Sequence, residues 1–161
     1  YDLCFDWAER EEEFVRRAAF SLMAKIAISH KNRPDSDLEA FFPLIEKHAG
    51  DERNFVKKAV NWALRQIGKR SAALNTRAID VGERLLQRDE KSARWIARDA
   101  LRELRSEAVR SRLGIGDEEE LSFIIQPCVS LIYVIYISLS RSVCRAIHIV
   151  IMQTDTDEGS V

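Results

Sequence analysis

Residues 54–70, NFVKKAVNWALRQIGKR, set one tryptophan among cations. Lys58, Trp62, Arg65 and Lys69 follow one another at spacings of four, three and four, so a helix carries them on one face. Phe55, Ala59, Val60, Ala63, Leu64 and Ile67 form a broad apolar stripe beside it, and Trp62 sits at the border. The chemistry open to such a face is specific. An indole face turned to solvent attracts a cation by about 0.5–2 kcal/mol, but the surrounding lysines and arginines repel a free cation. They accept one that arrives attached to a phosphate chain. The alternative is a boundary indole packed between neighbouring helices.

The rest of the chain bounds what this face belongs to. With 161 residues, 46% apolar and 32% charged, it has the composition of a soluble domain with a real core. It opens on Tyr1 without an initiator methionine and reads as a fragment or a processed product. Cys4, Cys128 and Cys144 are too few and too far apart for a disulfide framework or a zinc site, and no secretory pattern opens the chain, so a cytoplasmic setting is expected. The net charge of −1 hides an asymmetry: residues 51–112 hold 16 Lys and Arg against 9 Asp and Glu. Clustered cations gain by releasing the counterions condensed on phosphates, which points to a polyanion. A merely solvated helical surface is the other reading.

An internal period organises the helices. EFVRRAAFSLM (13–23) matches NFVKKAVNWAL (54–64) at an offset of 41, and ALRQI (63–67) matches ALREL (100–104) at an offset of 37. Helix-filled periods near forty are the mark of HEAT-like arrays, in which helix pairs bury their apolar faces by stacking. The expected fold is therefore all-α, an α-α superhelix (solenoid) over 1–113. Its parts are a helix over 11–29, a pair 37–49 with 52–69, a pair 76–87 with 90–106, and the end of a helix in 1–8. Ser36 with Glu39 suggests a capping box, Gly50 a stop, Pro43 a kink, and Asn75 or Thr76 a cap. Residues 114–161 form an atypical apolar extension, and its 121–152 stretch is long enough for a membrane span but is broken by Gln126, Pro127 and serines.

On such a frame Arg17 falls where Lys58 falls, and Lys58 where Trp95 falls. Arg94, Arg98, Arg102 and Arg105 make a further stripe. Arg17, Lys58, Trp62, Arg65, Lys69, Trp95 and Arg98 are the candidates for a positive groove that holds a duplex backbone, although Trp95 is expected to favour core packing.

The segments WAEREEEFVRRAAF (7–20), DERNFVKKAVNWALRQIGKR (51–70) and ARWIARDALREL (93–104) resemble the HEAT-like-repeat DNA alkylation repair enzymes, the AlkD-like DNA glycosylases. The resemblance covers about residues 1–113. It implies excision of positively charged 3- and 7-alkylpurines from duplex DNA by a monomer, without metal or other cofactor. By motif position, Arg17 of the FVxRA element contacts the backbone beside the lesion and Trp62 of the KAxxWxLR element contacts the lesion nucleotide. The family's catalytic aspartate lies in a Trp-Asp element ahead of the WAER-like segment, so no catalytic residue is assigned within this chain; Asp2, Asp6 and Asp99 do not occupy that position. The rival expectation is a non-catalytic scaffold that binds nucleic acid or an acidic protein partner.

Overall fold

The computed structural model describes residues 1–115. Among them there are eight helices and no strand: α1 (Asp2–Ala8), α2 (Glu13–Ser29), α3 (Asp35–Glu39), α4 (Phe42–His48), α5 (Asn54–Gly68), α6 (Ala72–Leu86), α7 (Lys91–Leu104) and α8 (Glu107–Leu113). The all-α class expected from the sequence is what the described residues adopt. The 121–152 stretch lies outside the described residues. Within them no helix is long and apolar enough to cross a membrane.

Apolar spacing explains why the helices stack. In α5, Val56, Ala59, Val60, Ala63, Leu64 and Ile67 are buried, and in α7 Ala93, Ile96, Ala97, Ala100, Leu101 and Leu104 are buried. These are one pattern displaced by the 37 residues of the sequence repeat, each a single stripe at helical spacing. Ala19, Phe20, Met23 and Ala27 of α2 likewise fall on Val60, Asn61, Leu64 and Gly68 at the offset of 41, and all are buried. Three helices with matching stripes can lie side by side. Phe14 meets Phe55 near the starts of α2 and α5 and Arg70 meets Ala27 near their ends, while Lys57 meets Trp95 and Lys69 meets Glu103, so numbering rises together along α2, α5 and α7 and the three run parallel. Helix α1 packs on α2, α4 on α5 and α6, and α6 on α5 and α7.

The expected element ends shift for identifiable reasons. Pro43 does not kink one long helix; the chain breaks into α3 and α4, and Pro43 stands in the first turn of α4, where its missing N–H costs nothing. Ser36 and Glu39 form no capping box, since the N-cap of α3 is Pro34. The α6 cap is Ser71, whose hydroxyl accepts from the Leu74 N–H at 3.2 Å, and not Asn75 or Thr76. Asn75 is buried and donates to the carbonyls of Gly68 (3.0 Å) and Leu104 (3.3 Å), satisfying the C-terminal ends of α5 and α7. α8 was not expected as a separate helix. It stops at Gly114, whose φ of 67° is the left-handed conformation that glycine adopts freely.

Arginines repeat with the helices. Arg70 donates to the carbonyls of Ala27 and Lys31 at the end of α2, and Arg112 reaches back the same 43 residues to the carbonyl of Lys69 at the end of α5. Each places a cation where the helix dipole is negative.

Asp51, in the turn before α5, accepts from Arg16 (3.0 Å), from the Arg53 side chain (2.5 Å) and from the Arg53 N–H (3.0 Å). Burial alone raises its pKa, but the hydrogen bonds from Arg53 and Arg16 outweigh it and bring the carboxyl from 3.8 to about 2. A folded pKa below the unfolded one means stability that is complete above about pH 4 and lost as pH falls toward 2. Denaturant titrations across that window should show a loss of about 2 kcal/mol from this group. In Asp51→Asn that component of the pH dependence should be missing.

Candidate nucleic-acid interface

Side chains that the α2–α5–α7 layer does not bury collect in short rows. On α7 the exposed row is Lys91, Trp95, Arg98, Arg102 and Arg105, at spacings of four, three, four and three. On α5 it is Phe55, Lys58 and the half-buried Trp62, and on α2 it includes Phe14 and Arg17. Helix spacing of about 8–10 Å makes the three rows span roughly 20 Å, comparable to about six steps of one DNA strand at roughly 3.4 Å each.

Two sequence expectations fail on these rows. Phe55 is not in the apolar stripe; it is 47% exposed, because the stripe is centred on Val56 and Phe55 lies seven residues before Trp62, on the same side as the indole. Trp95 does not pack in the core; it is 41% exposed with the Lys57 ammonium 5.0 Å from its ring centroid. Ala93, Ile96, Ala97 and Ala100 already fill the inward face of α7 and leave no room for an indole there.

The candidate cations differ in how they are held. Arg17, Lys58 and Arg98 are exposed and have no carboxylate partner among the described residues. Arg17 instead sets its guanidinium over the Phe55 ring, 5.4 Å from the centroid. Arg65 and Lys69 are engaged. Arg65 donates to Asp99 at 3.0 Å and its Nε lies 2.9 Å from Glu103, while the Lys69 ammonium donates to Glu103 at 2.6 Å. Asp99 also accepts from Asn61 at 2.7 Å and from Arg102. The hydrogen bond from Asn61, followed by the charges of Arg65 and Arg102, keeps the Asp99 carboxyl below its ordinary pKa despite partial burial. Asn61, Asp99 and Glu103 were not marked by the sequence, since their roles depend on how α7 is set against α5. Arg94 is half-buried, and Arg105 of the predicted α7 stripe pairs with Glu83.

Trp62 is neither sealed in nor free. Part of it packs against the core and part meets solvent. With its amide oxygen turned toward them, Gln66 accepts from the Trp62 indole N–H at 3.1 Å and from Lys69 at 3.0 Å. In that orientation the indole N–H has a partner while part of the ring meets solvent.

The structure therefore brings Arg17, Lys58, Trp62 and Arg98 to the solvent side of one helical layer and holds Arg65 and Lys69 there in ion pairs. Such a surface can neutralise phosphates with its unpaired cations and offer a fixed aromatic face between them. A family model described as DNA alkylation repair enzyme matches residues 1–104. No curated protein matches the chain, and no solved structure does.

Proposed function

The chain belongs to the DNA alkylation repair enzyme family, and from that premise we propose that it takes part in N-glycosidic excision of cationic 3- and 7-alkylpurines from duplex DNA. The supporting observation is the half-exposed Trp62 on the layer that also carries Arg17, Lys58 and Arg98, exposed and without a carboxylate partner among the described residues. Arg17, Lys58 and Arg98 hold backbone phosphates, and Arg17 fixes the strand beside the lesion. Trp62 presents its π-face to the charged nucleotide. Arg65 and Lys69 join the backbone contacts only to the extent that a phosphate displaces Asp99 and Glu103.

The chemistry asks little of the protein once the lesion is held. The C1′–N bond breaks with its electron pair going to the cationic purine, which leaves neutral; the sugar is left as an oxocarbenium ion, and water adds to C1′ and releases a proton. Electrostatic stabilisation of the sugar cation and positioning of that water are the tasks of a carboxylate. By the family resemblance that carboxylate belongs to a Trp-Asp element ahead of the WAER-like segment, and it is not Asp99, whose oxygens are taken up by Asn61, Arg65 and Arg102. The protein acts in the cytoplasm as a monomer and needs no metal.

The experiment is an excision assay on methylated duplex DNA with protein that includes the Trp-Asp element, following free 7-methylguanine by chromatography. Release above the spontaneous rate is expected. Salt-sensitive DNA binding with no release above background would instead favour a non-catalytic nucleic-acid-binding scaffold.

A further inference from the structure

Among the described residues the exposed large hydrophobics are Leu3, Phe14, Ile28, Phe55 and Trp95, and all but Leu3 lie on α2, α5 or α7. Three of them are aromatic, and each is followed three residues later, hence on the same side of its helix, by a cation without a carboxylate partner among those residues: Phe14 by Arg17, Phe55 by Lys58, Trp95 by Arg98. The rings are not scattered. Phe14 and Phe55 touch across two helices, with centroids 5.7 Å apart and planes tilted by 37°, and form one apolar ledge. Lys57 lies over the Trp95 ring and brings a further cation to the next step of the layer.

A duplex backbone has no use for this ledge. Phosphates and sugars need cations and hydrogen-bond donors, and exposed phenyl rings add nothing to them while costing solubility. Rings alternating with unpaired cations are instead what unpaired nucleotides require, since every base has a π-face to stack and every linkage has a phosphate to neutralise. Charge complementarity and the solvent-facing rings select the same occupant.

We propose that the Phe14–Phe55 ledge and Trp95 form a stacking site for unpaired nucleotides of single-stranded or locally opened DNA, with Arg17, Lys58 and Arg98 taking the adjoining phosphates. The site extends the reading of this surface as a nucleic-acid interface and rests on it. It is separate from Trp62, which meets the lesion in that reading.

The test is fluorescence anisotropy with the full chain, using a labelled oligothymidylate of about 12 nucleotides and a duplex of equal length. Wild type should bind both. Phe14→Ala with Trp95→Ala should weaken oligothymidylate binding by about tenfold or more and leave duplex binding within about twofold. Phe55→Leu keeps apolar support under Arg17 but removes the ring, and should also weaken only the single strand. Thermal melting accompanies each variant, and Phe55→Leu carries the test if the double variant is unfolded. Equal single-strand affinity in wild type and Phe55→Leu, or parallel losses on both DNAs, would overturn the stacking site. Binding to the duplex alone would overturn it too while leaving the excision reading intact, and binding to neither would remove both.

Discussion

Trp62→Ala is expected to lower the rate of 7-methylguanine release by about thirtyfold, the equivalent of roughly 2 kcal/mol for a cation held on an indole face. Duplex affinity should change by no more than about threefold, because the phosphates are held by Arg17, Lys58 and Arg98 and not by the indole. Trp62→Phe should retain part of the rate, since a phenyl ring keeps a weaker π-face but cannot donate to Gln66. The indole also packs against the core, so some loss of thermal stability is expected in the alanine variant, and rates are to be compared well below its midpoint. An unchanged rate in Trp62→Ala would mean that the indole serves packing alone. Adding Arg17→Ala should reduce release further and, unlike Trp62→Ala, should also weaken binding to undamaged duplex.

The second large effect is on the fold. A methyl group on Gly68 would stand 2.7 Å from the Ala78 Cβ and 2.7 Å from Leu104 Cδ2, closer than real carbon atoms approach. Leu104 is fully buried, and the Ala78 Cβ is fixed to the backbone of α6, so relief requires a helix to move. Alanine in place of glycine gains about 1 kcal/mol in helix propensity, but an overpacked core costs about 3 kcal/mol or more at such distances. The clash wins. Gly68→Ala should be destabilised by about 2 kcal/mol net, seen as a fall of several degrees in Tm, and Gly68→Val by more. Gly50→Ala is the control: the nearest atom to its new Cβ is the Glu90 carboxylate oxygen at 3.2 Å, the end of a flexible side chain, and little change is expected. If Gly68→Ala proved as stable as wild type, the close approach of α5, α6 and α7 described above would be wrong.

How much of this is legible in the sequence depends on whether a property belongs to one helix or to two. The period was legible because α5 and α7 bury the same pattern 37 residues apart, and a repeat in sequence becomes a repeat in burial. Placing Lys58, Trp62, Arg65 and Lys69 on one face needed only the helical spacing. The edge of a stripe was harder: Phe55 and Val56 both stand at plausible distances from Ala59 and Val60, and the packing of α2 and α7 on either side decides that Val56 goes in. Asn75 has the side chain of a cap, yet Ser71 takes that place, because Asn75 is needed four residues on to satisfy Gly68 and Leu104. Arg65 and Lys69 look like free cations on their own helix. Only the seating of α7 beside α5 shows that Asp99 and Glu103 hold them.

That division of the cations is the central claim, and counterion release measures it directly. The logarithm of duplex affinity falls linearly with the logarithm of salt concentration, by about 0.9 for each phosphate neutralised. Titrations of undamaged duplex should give a slope reduced by about 0.9 in each of Arg17→Ala, Lys58→Ala and Arg98→Ala, and by less than half of that in Arg65→Ala and Lys69→Ala, whose charges are already met by carboxylates. The opposite ranking, or slopes in the first three variants identical to that of the wild type, would contradict the account.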